Sequence, residues 1–451
     1  DFKEVKMAKD LTVGKPFKVI LAFALPMIIG NIFQQLYNIV DTAVVGQFVG
    51  NAELAGVGST ASMVFLIVQV AMGASVGCSV VISQLYGSKR LRDTKTATYT
   101  TLITMGVMGI LFTALGLIFI DGILVMLSTP ADIYDIAREY LQIYLYGCFP
   151  MLLYNGISSA FQALGDSKLP LCFLILSSVL NVVLDLVFVL SFGMGVAGVA
   201  WATFIAQTLA CLLSLFVLIR RINKIKTDEK AKAFDKTIFK KIATIGLPSM
   251  LQQSVISIGH ICVQSLVNSY GATVIAGFTA ANKVEQILTS TFTNIANALS
   301  SFTAQNIGCH KIDRIKAGYR TTFYMIAALS VVMLVLSLTI PDALISIFVD
   351  STASAGEIEV GRQYLTIVGC TYLVCGLMVI SKGVLRGAGD VKIVVICSLC
   401  NIAVRVGGAY LFAGVWGSAA IWWAVPMGWL LGAVISTVRY FTGKWQNKAI
   451  I

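Results

Sequence analysis

Apolar residues in this chain gather in long blocks rather than alternating with polar ones. Blocks of about 20 residues, each enough to cross a bilayer as an α-helix, centre near positions 30, 68, 108, 150, 180, 207, 256, 289, 330, 374, 402 and 427. A transmembrane β-barrel would show short segments of alternating polarity instead. The pattern therefore predicts an all-α polytopic membrane protein with twelve transmembrane helices. Composition agrees: 57% of the 451 residues are hydrophobic and only 12% are charged.

The net charge of +11 would suit a nucleic-acid binder, but its distribution argues against one. Lys and Arg gather before span 1 (Lys3 to Lys18), between spans 2 and 3 (Lys89, Arg90, Arg92, Lys95) and, most densely, from Arg220 to Lys241 after span 6. The segments 47–53, 120–137, 340–357 and 412–417 carry neither residue type but hold Glu53, Asp121, Asp132, Asp135, Asp342, Asp350 and Glu357. Basic and non-basic connections alternate, so by the positive-inside rule both termini are expected in the cytoplasm. The expected location is the plasma (inner) membrane, multi-pass. The bilayer is the expected partner and nucleic acid is not. Span 1 runs well past the usual length of a cleavable leader and is expected to stay in the membrane.

Ten cysteines are scattered through the spans, and Cys397 and Cys400 form a CxxC with no histidine or second pair nearby. Packing is the expected role of these thiols. Two histidines leave little material for a metalloenzyme, and no phosphate-binding Gly-Lys-Ser/Thr loop is present. No enzymatic activity, cofactor or structural metal is expected.

The chain repeats itself. Ala24-Leu25-Pro26 recurs as Gly246-Leu247-Pro248, and Ala55-Gly56 as Ala276-Gly277. Tyr140-Leu141 recurs as Tyr364-Leu365, and Gly165-Asp166-Ser167-Lys168 as Gly389-Asp390-Val391-Lys392. An even number of spans per half gives both halves one orientation, as in transporters built from parallel repeats about an axis along the membrane normal. The expected organisation is a lobe over residues 1–221, a cytoplasmic linker over 222–240 and a second lobe over 241–451, related by pseudo-two-fold symmetry.

Several of these motifs are familiar together: Leu25-Pro26, the run from Asp41 to Gly46, Glu53-Leu54-Ala55-Gly56, the paired Gly-Asp turns with Arg386 before the second, and Gly195-Val196-Ala197-Gly198. In this order, across nearly the whole chain, they resemble the multidrug and toxic compound extrusion (MATE) transporters. The resemblance implies a secondary active transporter that exchanges amphipathic, cationic drugs or toxic compounds for H+ or Na+.

An ionisable group in a span costs roughly 2.5–3.5 kcal/mol on insertion scales, so it signals function by default. Gln34, Tyr37, Asn38 and Asp41 fall on one stripe of span 1; Asn181 and Asp185 lie one turn apart in span 5. Asp41, Asp185 and Thr203 all lie roughly 8–13 Å below the outer surface at ~1.5 Å per residue, while Asn155 lies deeper. One alternative is that the acids are structural, bracing helices. Against it, two acids at a shared depth with no basic neighbour suit uptake and release of a coupling cation. Proton-coupled members of the family are similar in carrying such groups, which by match are Asp41, Asn155, Asn181, Asp185 and Thr203. The resemblance also makes Pro26 the hinge of span 1. Free backbone oxygens there would suit Na+ as well, so either ion fits, with Asp41 and Asp185 as its carboxylates.

The second half departs from the first. Arg405 falls near the position of Asp185, and nothing acidic matches Asp41. Glu285 is open to two roles: pairing with Arg405 or Lys382, or facing the cavity. Gln34, Tyr37, Asn38, Met151, Gln253, His260 and Glu285 are candidates for contacting substrate. A flippase for lipid-linked saccharides or related amphiphiles is the alternative function, which Lys283, Lys382 and Arg405 keep in play. The protein is expected to act as a monomer.

Overall fold

The structure, a computed structural model, describes residues 10–348 and 354–451, apart from the side chains at 38, 39, 41–43, 45, 47, 51 and 52. Its helices are α1 (Pro16–Val44), α2 (Asn51–Gly87), α3 (Leu91–Ile118), α4 (Ile120–Met126), α5 (Tyr134–Tyr146), α6 (Cys148–Ala163), α7 (Lys168–Leu186) and α8 (Gly195–Asn223). They continue with α9 (Lys236–Asn268), α10 (Ala272–Gly308), α11 (Ile312–Thr339), α12 (Pro341–Ser346), α13 (Ala355–Gly369), α14 (Tyr372–Ala388), α15 (Val391–Trp416) and α16 (Ala419–Phe441). No strand occurs among the described residues. Span 4 is the α5–α6 pair interrupted at Gly147, and span 10 is α13 and α14, bent by 54°. The short α4 and α12 precede these two broken spans, so the repeat extends to its irregularities.

Backbone contacts divide the chain into two compact units. Leu25–Met250 fall in the first, and Leu11–Ala24 with Leu251–Ile451 in the second. Helix α1 therefore changes unit between Ala24 and Leu25, just before Pro26, and α9 between Met250 and Leu251, just after Pro248. A proline inside a helix removes one backbone hydrogen bond and weakens the rod at that point. Each crossing thus sits where its helix is least stiff.

Side chains follow the rule for a bilayer solvent. Helix α3 turns Thr94, Thr96, Thr98, Thr100 and Thr101 inward, while Leu111, Leu115 and Ile118 are exposed. Lipid is as apolar as leucine, so the interior is chosen for close fit and hydrogen bonding. The repeated Ala-Gly motif illustrates this. A Cβ at Gly56 would come within 2.7 Å of Ile136 Cγ2, and one at Gly277 within 2.9 Å of Val360 Cβ. In each unit a glycine lets the start of one long helix approach the first part of the broken span.

The Gly-Asp turns repeat as well. Gly165 and Gly389 have φ of 86° and 93°, the left-handed region that glycine enters without strain. The following aspartate pairs with an arginine near the end of the last helix of its half: Asp166 Oδ2 with Arg221 Nη1 at 2.6 Å, and Asp390 Oδ2 with Arg439 Nε at 2.6 Å. Both acids are largely buried.

Candidate functional site

In the first unit, α7 and α8 pack side by side, and Asn181 and Asp185 occupy the buried face of α7 at 1% and 0% exposure. Asn181 Nδ2 donates to Thr203 Oγ1 on α8 at 3.1 Å. The same hydroxyl lies 3.3 Å from Tyr37 Oη on α1. Three helices are thus joined through one threonine, and Asp185 lies one turn along α7 from the junction. The helix α1 carries Asn38 and Asp41, whose side chains lie outside the described residues.

Beyond this polar layer, toward the α1–α2 connection, the same helices present valines. Val44, Val189, Val196 and Val199 are buried together, with Val40, Val49, Leu54 and Val57 packed against them. Val189, in the π-helical turn that follows α7, is one turn past Asp185, and Val199 is one turn before Thr203 on α8. The acid is therefore capped on that side by hydrocarbon. Short π-helical turns, Val45–Val49 and Val187–Ser191, follow the polar layer on α1 and α7. Such turns interrupt regular helical bonding and are common near functional sites.

The other candidates of the first half lie elsewhere. Asn155 directs Nδ2 to the Met151 carbonyl one turn back, at 2.9 Å, with no hydrogen bond to Asn181 or Thr203 given by that amide. Met151 sits in a packed cluster with Ile67, Leu141, Leu145 and Leu152. Gln34 is half-buried on α1, and Pro26 is buried.

The second unit is built differently. Glu285 on α10 is buried and accepts hydrogen bonds from Tyr364 Oη on α13 and, at 3.5 Å, from Asn282 Nδ2. Phe278 and Trp422 pack against the Tyr364 ring, and the three ring centroids are each 5.4 Å apart. Arg405 on α15 is also buried, and its Nε and Nη2 have no hydrogen-bond partner among the described residues. Lys382 on α14 donates to Ser398 Oγ at 3.4 Å, and Gln252 Nε2 reaches the same oxygen at 2.9 Å. No direct ion pair joins Glu285 to Arg405 or Lys382 among the described residues. Lys283 stands apart, exposed, with its ammonium 5.9 Å from the Phe348 ring. Gln253 and His260 are half-buried on α9.

A family model described as MatE matches residues 26–187 and 248–411, one stretch in each half. The chain belongs to the MatE family. Its homologues are transporters, so this is a membrane transport protein and not an enzyme, and it has the two-lobe, twelve-helix fold of the MATE transporters. A probable multidrug resistance protein of Bacillus subtilis, YpnP, is 28% identical over 97% of this chain and 98% of that protein. An outward-facing MATE family transporter superposes with a TM-score of 0.89 at 24% identity, covering 97% of this chain and 98% of that one. A transporter of the same superfamily from Pyrococcus furiosus, described as having a binding pocket of reversed polarity that suggests a different function, gives a TM-score of 0.90 at 23% identity, covering 98% and 100%.

The MatE matches begin at Pro26 and Pro248, the residues beside which α1 and α9 change unit. The paired prolines were legible as a repeat; the unit change beside them was not. Sequence reasoning also missed the Tyr364 hydroxyl on Glu285, because the two residues are 79 positions apart. The only signal was that Tyr364 repeats Tyr140, whereas Glu285 has no acidic counterpart in the first half.

Proposed function

We propose that this MatE protein is a secondary active multidrug efflux antiporter of the plasma (inner) membrane, with cytoplasmic termini. It exports amphipathic, cationic compounds in exchange for H+ or Na+ and acts as a monomer. The observation that carries the reading is Asp185: a carboxylate with no exposed surface, inside a membrane-spanning helix, one turn from the Asn181–Thr203–Tyr37 network. A buried acid in a span is expensive, and its retention there fits a group that takes up and releases a cation during the transport cycle. Asp41, on the stripe that includes Tyr37, is its partner in this scheme. Pro26 is the point at which α1 bends when the ion binds.

The test is exchange by purified protein in liposomes, following substrate-driven H+ or Na+ flux. Asp185→Asn and Asp41→Asn should each lower exchange more than tenfold, while both variants insert and melt as the wild type does. Wild-type exchange in both would overturn the site. A pump-deficient host expressing the protein should lose its drug resistance when a protonophore is added if H+ is the coupling ion.

A second reading, a flippase for lipid-linked saccharides or related amphiphiles, is favoured by the half-buried Lys382 and the buried Arg405. It predicts lipid-linked saccharide translocation in the same liposomes, with no drug-driven ion flux.

A further inference from the structure

Helices α14 and α15 of the second unit carry lysine and arginine but no aspartate or glutamate. On α15, Ser398, Asn401 and Arg405 recur at i, i+3 and i+7 and are buried at 3%, 9% and 7% exposure, which makes one continuous inward stripe. On α14, Lys382 and Arg386 are one turn apart and half-buried. Donors along these faces go to weak partners or to none. Lys382 has the Ser398 hydroxyl at 3.4 Å, already shared with Gln252. Asn401 Nδ2 points at the Met378 thioether at 3.6 Å. Arg405 Nε and Nη2, and Arg386 Nε, are buried without partners among the described residues.

The neighbouring carboxylates do not remove this excess. Glu285 takes its hydrogen bonds from Tyr364 and Asn282. Asp390 is held by Arg439 at 2.6 Å. Three cationic side chains are therefore set against one interior acid whose bonds go elsewhere. A buried guanidinium with idle N–H groups carries a large desolvation cost, and native structures rarely leave such groups unmatched. What the stripe lacks is an acceptor bearing negative charge.

We propose that the α14–α15 face of the second unit, from Lys382 through Asn401 to Arg405, binds an anionic group, a carboxylate or a phosphate. The planar fork of an arginine fits two oxygens of either group, and a lysine adds a point charge. Asn401 supplies a neutral donor between them. Glu285 bonds to Tyr364 and Asn282 and leaves the arginine N–H groups unoccupied. The site is independent of the first unit's acids and holds whether the transported molecule is a cationic drug or another amphiphile.

The experiment uses full-length protein, stripped of lipid in a maltoside detergent and melted at fixed ionic strength. Inorganic phosphate and acetate are titrated separately against KCl. The wild type should show a saturable rise in melting temperature with phosphate or acetate beyond that with KCl. Arg405→Met removes the unmatched charge and should melt at or above the wild-type temperature in KCl, with phosphate or acetate binding at least tenfold weaker. Lys382→Met should weaken binding several-fold and provides a second variant. A parallel titration with short-chain phosphatidic acid against phosphatidylcholine separates a lipid headgroup from a free anion as the source of the phosphate. Protection by either source supports the site. Equal melting in phosphate, acetate and KCl would overturn it, as would an Arg405→Met protein that melts lower yet keeps the full anion response, since that result makes Arg405 a structural counter-ion.

Discussion

The hydroxyl of Thr203 is one oxygen atom that serves two helices, accepting from Asn181 on α7 and meeting Tyr37 on α1. Replacing it with valine keeps the shape and removes the polar partner of a buried amide. Leaving such an amide unsatisfied costs about 1–3 kcal/mol. Thr203→Val should therefore lower the melting temperature and slow ion exchange, and Thr203→Ser should restore both. A Thr203→Val protein indistinguishable from wild type in both assays would show that the junction has no part in coupling. Asn181, Asp185 and Thr203 could be grouped from sequence because helical spacing and depth are both readable from a linear pattern. Side-chain direction is not. Asn155 spends its amide on its own helix, and Met151 fills a packed cluster, although both had the right residue type for a site. The burial of Arg405 was legible from its apolar surroundings, whereas the idle state of its N–H groups depends on where Tyr364 and Asn282 hold Glu285.

A few helices of this protein start where a side chain accepts from their first N–H groups. Asp235 does so for α9: its Oδ1 accepts from Thr237 N at 2.9 Å and Ile238 N at 3.2 Å. The Ile238 N–H is the chief reason the Asp235 carboxyl lies below its ordinary value, with Lys232 and the Thr237 N–H adding to it. A depressed folded-state value means the ionised cap stabilises the helix above the unfolded value of about 4 and loses that contribution as pH falls through the folded one. Asp235→Ala should cost about 1 kcal/mol at neutral pH, read as roughly fivefold faster hydrogen exchange in the first turn of α9. The difference between the two proteins should shrink from neutral pH to an acid pH below the folded-state value. An equal difference at both pH values would mean that the side chain's charge is not what holds the turn. At this scale the long spans were legible because twenty apolar residues have few other folds, but the breaks were less so. Gly147 interrupts span 4 three residues before Pro150, which has no N–H to bond the Tyr146 carbonyl, so that break had a signal in the sequence. Span 10 bends by 54° between Gly369 and Tyr372 with no proline there, where α13 packs close to Gly277, and periodicity carries no trace of that bend.

Across the whole molecule, charge is arranged twice over. Asp166–Arg221 and Asp390–Arg439 occupy equivalent positions in the two halves, and so do Asp121–Arg138 at 2.8 Å and Asp342–Arg362, whose Nη2 and Oδ2 are 2.5 Å apart. Arg138 and Arg362 lie just past the non-basic segments 120–137 and 340–357, so the alternation that predicts topology tolerates two cations because each is matched by an aspartate. The linker is not a loose tether either. Lys95 Nζ donates to the Ile225 carbonyl at 3.2 Å, Tyr99 Oη to Asn223 Oδ1 at 2.7 Å, and the N–H groups of Lys232 and Asp235 to Thr96 and Thr100 at 3.1 and 3.2 Å. It runs along the start of α3, beside the basic cluster between spans 2 and 3. If that cluster is cytoplasmic, the linker must be too, and the α4–α5 connection must face outward. Single cysteines at Ala233 and Asp132, both exposed, test this in a background without the ten natural cysteines. In intact cells a membrane-impermeant maleimide should label the cysteine at 132 and leave the one at 233 untouched until the membrane is opened. Labelling at 233 from outside would invert the topology, and with it the side of the membrane toward which the valine layer beyond Asp185 lies.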